Sequence, residues 1–319
     1  MGSKKYQALV YATLAAVFYA INIPASKLLL REVGPTTMAA LLYLGAGIGV
    51  GILALVNRKE AVQAASLSKQ DLPYVIGMIV LDIVAPILLM LGISYGTSAN
   101  ASLLGNFEIV ATAIIALLIF KEAVSKRLWG AIALISLSSV LLSFEGADSF
   151  KFSLGSLFVL LATTCWGLEN NCTRSIASKS TYQIVVLKGI FSGLGALAIA
   201  LIKREVMPEL SYVVAAMLLG FVAYGLSIFM YVRAQNVLGA AKTSACYAVA
   251  PFVGAFLSFV FLRESLSWMY LIALAVMVAG SVLVVADTLI QRRQTCSSPR
   301  RCRIRKVTRG QACIMSSRC

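Results

Sequence analysis

Six ionisable side chains interrupt otherwise apolar stretches of this 319-residue chain: Lys27, Asp82, Glu108, Glu169, Arg174 and Lys188. In a bilayer, a charge at a helix centre costs about 2.5–3.5 kcal/mol, so each needs an opposite charge, a wet cavity or a ligand. Glu108 shares a helical stripe with Ala101, Gly105 and Thr112, spaced by four, three and four residues. Such a small, polar face lines either a cavity or a contact with a basic side chain. A carboxyl there that gains and loses a proton would couple movement of a substrate to a proton gradient. Glu169 lies on a face with Trp166, Asn170 and Thr173. An aromatic plate beside polar groups suits a small amphipathic ligand, and equally suits an interhelical polar patch.

Two further positions read as gating or coupling candidates. Asp82 lies one turn before Pro86, and proline removes a helical hydrogen bond and can kink the segment. Asp82 is thus either a cavity wall or half of an ion pair with Lys188 or Lys27. Lys188 shares a face with Thr181, Ser192 and Gly195; it either neutralises a carboxylate or snorkels to an interface. Lys27 and Arg174, near helix ends, read as anchors or structural partners. The chain holds no histidine. A Ser-His-Asp triad, a histidine metal site and a histidine proton relay are therefore excluded. No metal or other cofactor is expected.

These charges are rare because the whole chain is apolar. It is 60% hydrophobic and 13% charged, with mean hydropathy +0.87. A soluble domain carries about a quarter charged residues. Composition therefore predicts an all-α polytopic membrane protein. The net charge of +15 misleads, because nine Lys/Arg and no acid lie in Gln291–Cys319. That leaves 19 basic residues against 13 acidic ones, a net of +6, in the body. The tail is expected to be disordered and cytoplasmic, at most touching anionic lipid heads, and nucleic acid is not an expected partner.

A bilayer core takes about 20 apolar residues per helix. Ten spans are predicted: Ala8–Leu30, Thr36–Val56, Tyr74–Ile93, Ala99–Phe120, Leu128–Phe144, Leu154–Ser175, Tyr182–Ile202, Ser211–Tyr231, Thr243–Leu262 and Trp268–Leu289. The polar stretch Asn57–Pro73 has room for a short surface helix. With the N-terminus inside, inner segments hold 11 Lys/Arg and outer ones 5, the tail apart. Both termini are then expected in the cytoplasm. Gly45, Gly47, Gly49 and Gly51 alternate in the second span, a pattern for close helix approach.

The chain also resembles itself. Lys121-Glu122 with Ser125 matches Arg263-Glu264 with Ser267 at an offset of 142. At an offset of 147, Tyr19 meets Trp166, Asn22 meets Glu169, Ser26 meets Thr173, and Lys27 meets Arg174. Residues 1–148 and 149–290 are read as two five-helix repeats, followed by the tail 291–319. Five is an odd number, so the second repeat is expected to be inverted, with a substrate site at the repeat interface.

Tyr19-Ala20, Trp166-Gly167, Lys27, Arg174, Glu122, Glu264 and the helix-breaking Pro251, in this order and spacing, resemble the ten-helix, EamA-type branch of the drug/metabolite transporters. The resemblance covers about Tyr6–Leu289. Ile109 stands opposite Pro251, beside the unexpected acid Glu108. The resemblance implies a secondary transporter of the inner (plasma) membrane that exports small metabolites such as amino acids. The candidate substrate-binding residues are Glu108, Glu169, Trp166, Asn170, Tyr19, Asn22 and Tyr247; those for gating or coupling are Asp82, Lys188 and Pro86. Protons are the candidate coupling ion, and the oligomeric state is left open. A receptor-like or structural bundle without net flux, and a lipid-modifying membrane enzyme, are the alternatives.

Overall fold

The structure, a computed structural model, describes residues 3–58, 66–120, 125–145, 151–176, 179–238, 247–264 and 267–297. Its helices are α1 (Ser3–Leu29), α2 (Pro35–Val56), α3 (Leu72–Tyr95), α4 (Ser98–Leu104), α5 (Phe107–Phe120), α6 (Lys126–Leu142), α7 (Leu154–Ser175), α8 (Thr181–Ile202), α9 (Leu210–Gly220), α10 (Ser227–Leu238), α11 (Ala250–Leu262) and α12 (Trp268–Ser297). Two pairs are interrupted single helices. α4 and α5 are separated by a turn at Gly105-Asn106, and a π-helical segment, Phe221–Leu226, joins α9 to α10. Ten helical rods result among the described residues. Seven are long and apolar enough to cross a membrane. The fifth rod is 17 residues long and α11 is 13. Many large apolar side chains face outward, among them Leu118, Ile119, Phe256, Phe261, Ile272 and Val282. A soluble monomer does not expose such a belt; with the helices it makes this a multi-pass membrane protein.

The structure corrects several sequence-based boundaries. The fourth span is broken and not continuous: Gly105 weakens the helix locally, and its N–H bonds to both Ala101 O and Ser102 O in a tightened turn. Glu108 therefore opens a new helix, in the first turn of α5, and the straight stripe through Ala101 and Gly105 is interrupted. The fifth helix ends at Leu142. Phe144–Glu145 instead pairs antiparallel with Lys151–Phe152 between the halves, a small exception to an all-helical chain. The last helix runs to Ser297, into the segment expected to be disordered. Gln291-Arg292-Arg293-Gln294 are good helix formers, and Pro299 comes only later. Positions 298–319, Lys121, Glu122 and Thr243–Cys246 lie outside the described residues, as do positions 59–65 of the loop expected to hold a surface helix. The described part of that loop holds one turn of 3-10 helix, Lys69–Asp71.

Glycine contacts set the approach of the rods. A Cβ on Gly189 of α8 would lie 2.4 Å from Gly47 Cα on α2, and one on Gly45 would lie 2.0 Å from Met217 O on α9. Without side chains at these points, α2 packs directly on α8 and α9, and dispersion between backbones replaces the hydrophobic drive that lipid cannot supply. Gly92 of α3 and Gly155 of α7 form a second such contact, with a Gly155 Cβ 2.9 Å from Gly92 O.

One end of the bundle is tied shut by helix caps. Glu264, just past α11, accepts the N–H groups of Ser98 (2.7 Å) and Ala99 (2.8 Å) at the start of α4. Glu205, just past α8, accepts those of Thr36 (3.2 Å) and Thr37 (2.8 Å) at the start of α2. Each glutamate follows an arginine in the left-handed region, Arg204 at φ 54° and Arg263 at φ 52°. That conformation ends the helix and turns the next residue back. Both carboxylates also oppose the positive end of a helix dipole. Lys27 does the converse, donating to Ile93 O (2.5 Å) and Gly96 O (2.7 Å) at the carbonyl end of α3.

Candidate functional site

The intramembrane charges converge. Lys188, in the third turn of α8, lies 3.0 Å from Asp82 Oδ2 on α3 and 3.0 Å from Glu169 Oε1 on α7. Asp82 and Glu169 are buried. Three helices are thereby joined through one ammonium. The α8 face carrying Lys188 packs on α3: Ser192 donates to Ile79 O at 3.2 Å, and a Cβ on Gly195 would touch Ile83. Of the two cations available to Asp82, Lys188 is the partner, while Lys27 turns away to cap α3.

Hydrogen bonds extend this triad. Tyr43 on α2 donates to Asp82 Oδ1 at 2.9 Å and accepts from Trp166 Nε1 at 3.4 Å. Thr173, one turn beyond Glu169, donates to its carboxylate. Pro86 sits inside α3, where its missing N–H leaves the Asp82 carbonyl without its usual helical donor. Asp82 thus stands where the helix is most deformable.

A second cluster surrounds Glu108. Asn170 Nδ2 donates to Glu108 Oε1 at 2.6 Å and to Thr112 Oγ1 at 3.4 Å. Among the described residues, Glu108 makes no ion pair. At the break beside it, the Asn106 amide nitrogen and the Ser102 hydroxyl, each on a residue 2% exposed, have no hydrogen-bond partner among the described residues.

Tyrosines form an aromatic cluster. Ring centroids are 6.1 Å apart for Tyr19 and Tyr224, 5.5 Å for Tyr19 and Tyr247, 5.3 Å for Tyr43 and Tyr224, and 5.2 Å for Tyr231 and Tyr247. Asn22 of α1 donates to Tyr224 Oη at 3.0 Å and accepts from Ser26 at 3.2 Å. Tyr247 shares a 3.2 Å hydrogen bond with Ser227, which also bonds Ala15 O. Tyr224 lies on the π-helical segment, a local widening that recurs at functional sites.

The structure therefore gathers Asp82, Glu169, Lys188 and Trp166 in one network, Asn22, Tyr19 and Tyr247 in a second, and Glu108 with Asn170 in a third. Tyr43 bridges the first two, touching both Asp82 and the Tyr224 ring. Sequence reading passed over Tyr43; its one signal was a lone hydroxyl in the apolar run Leu41–Leu44. Arg174 is exposed near the end of α7.

Comparison with known proteins adds to this geometry. Residues 7–144 and 153–286 each match the EamA-like transporter family. A protein of Methanothermobacter thermautotrophicus described as an uncharacterized transporter is 26% identical over 284 residues, covering 83% of this chain and 82% of its own. A crystal structure of a protein is similar over 90% of this chain and 99% of its own, with TM-score 0.63 and 18% identity; that likeness concerns the fold alone. The two matched segments are two copies of one domain, and both copies contribute residues to the buried cluster. Family and relative indicate a transporter in place of an enzyme. The chain belongs to the EamA-like transporter family.

Proposed function

We propose that this chain is a secondary transporter that exports small metabolites, of the size and polarity of amino acids, across the inner membrane by alternating access. The observation that carries the reading is the buried Lys188 bridge between Asp82 and Glu169 beside the tyrosine cluster. Such an arrangement in a bilayer marks a substrate or ion path. The candidate substrate residues are Glu108, Glu169, Trp166, Asn170, Tyr19, Asn22 and Tyr247, with Asp82, Lys188 and Pro86 in gating or coupling and protons as the coupling ion.

Helix pairing supports an inverted arrangement of repeats 1–148 and 149–290, ten crossings in all. The second helix packs on the seventh, the fourth on the ninth and the fifth on the tenth. The third packs on the sixth, and the first on the eighth. A two-fold axis exchanging the halves maps the first three pairs onto themselves and the last two onto each other. The breaks agree, since Gly105-Asn106 in the fourth helix has its counterpart in the turn at Ala248-Val249 before α11. Interfaces of inverted repeats hold the substrate near the midplane. The charge bias of the loops supports cytoplasmic termini.

The reading is tested by flux in proteoliposomes, with and without a proton gradient. Wild type should carry solute, and Glu108→Gln and Glu169→Gln should lose transport.

A further inference from the structure

We propose that α4 walls a water passage for polar solutes, shut in this conformation, that leads from the Glu264 cap to the helix break at Gly105-Asn106. Its purpose, and the placing of that end on the outer side of the membrane, rest on the transporter reading. Unpartnered polar groups are the first ground. Ser98, Ser102 and Asn106 follow one another at steps of four, so they share one helix face. They are 0%, 2% and 2% exposed. The two hydroxyls and the Asn106 amide nitrogen have no hydrogen-bond partner among the described residues. Other buried serines of the bundle behave differently: Ser139, Ser143 and Ser258 each donate to the carbonyl four residues earlier. A buried polar group without a partner is costly. Three in a row, along about 12 Å of helix, mark a face built to be wet. That length approaches half of a hydrocarbon core about 30 Å thick.

The opposite wall is built to part. Ser102 faces Gly254 of α11 and Ala20 of α1: a Cβ on Gly254 would lie 3.1 Å from both Ser102 Oγ and Ala20 O. Ala16, Ala20 and Ala250 continue this seam and pack against Tyr19 and Tyr247, so it ends at the aromatic cluster. Small residues let the backbones approach closely, and no bulky side chain interlocks at these positions to resist separation. The tie lies at the mouth. Glu264, just past α11, accepts the N–H groups of Ser98 and Ala99. It therefore joins the two helices whose parting would wet the Ser98–Ser102–Asn106 face.

Thiol modification of the full-length chain in detergent tests this. With native cysteines replaced by alanine, Ser98→Cys, Ser102→Cys, Asn106→Cys, Leu103→Cys and Leu104→Cys are treated in turn with a permanently charged methanethiosulfonate. The reagent arrives through water and reacts with the thiolate. Leu103 and Leu104 are 0% exposed and serve as dry controls on the same helix. The three polar positions should react about tenfold or more faster than the two leucine positions. Adding Glu264→Ala should speed the three and leave the leucine positions unchanged. Ser102→Cys and Asn106→Cys as slow as the leucine variants, or rates indifferent to Glu264→Ala, would overturn the proposal. Should one variant fail to fold, the remaining polar positions against the leucines decide. The expected labelling without solute flux in proteoliposomes would sink the transporter reading and leave the passage standing; flux without that labelling would do the reverse.

Discussion

Lys188 on α8 holds Asp82 on α3 at 3.0 Å, and its other side faces Glu169 at the same distance. A single ammonium neutralising two carboxylates fixes three helices to each other. Removing it leaves two buried acids facing one another. Lys188→Met should therefore lower stability in detergent by about 3–5 kcal/mol, the scale for breaking a buried pair. Adding Asp82→Asn should restore part of that loss. Thermal unfolding of the single and double variants checks this; full additivity of the two substitutions would contradict the bridge.

Glu205 and the start of α2 give a pH dependence. Burial alone would raise its carboxyl, but hydrogen bonds from Thr36 and Thr37 outweigh that and hold it below the usual glutamate value. The folded state then binds this proton more weakly than the unfolded chain does. The stabilisation is complete above the ordinary glutamate range and is lost as pH falls through the folded value. Glu205→Gln should cost about 1 kcal/mol at neutral pH, as for a lost cap. The gap to wild type should close as the pH falls below the ordinary glutamate range. Unfolding temperatures of both proteins across that range decide it.

Arg204 and Arg263 turn left-handed just before the two capping glutamates. A non-glycine residue there is strained by about 1–2 kcal/mol, of which glycine would return part after its own entropy loss. Arg204→Gly and Arg263→Gly should each raise stability by about 0.5–1 kcal/mol, read by chemical or thermal unfolding. A fall would show that the arginine side chains hold more than the turn.

The Glu264 cap ties the second half of the chain to α4 in the first. Glu264→Ala should loosen that end of the bundle. With native cysteines replaced by alanine, a cysteine at buried Ser98 should react faster with a maleimide in Glu264→Ala than in the parent. Equal rates would mean that the cap does not close this end.

Glycine substitutions separate close contact from open space within one helix pair. Gly189→Leu should prevent folding, because even its Cβ would sit 2.4 Å from Gly47 Cα. Gly51→Ala should be tolerated, since its Cβ would meet only Val186 Cγ2 at 3.9 Å. Yield and monodispersity after membrane extraction report both.

Much of this was legible in the chain, and the reasons differ by residue. Hydropathy marked the helices because lipid demands long apolar runs. Charges in those runs marked Asp82, Glu108, Glu169 and Lys188 because burial makes them rare. The alternating glycines of α2 marked a close contact that Gly45 and Gly47 make. The break at Gly105-Asn106 was not legible, because an apolar helical pattern runs straight across it and only packing reveals the turn. Tyr43 was hidden for the opposite reason: tyrosine is ordinary in a membrane helix, and its role depends on Asp82, 39 residues away. The partner of Asp82 needed three dimensions, since Lys27 and Lys188 were equal choices in sequence.

The most direct measurement is solute flux into proteoliposomes carrying the wild-type chain, Glu108→Gln or Glu169→Gln, with an imposed proton gradient. Wild-type flux that is lost in both variants, with folding retained, is the expected result. Unaltered transport in both variants would contradict a substrate path through the buried cluster.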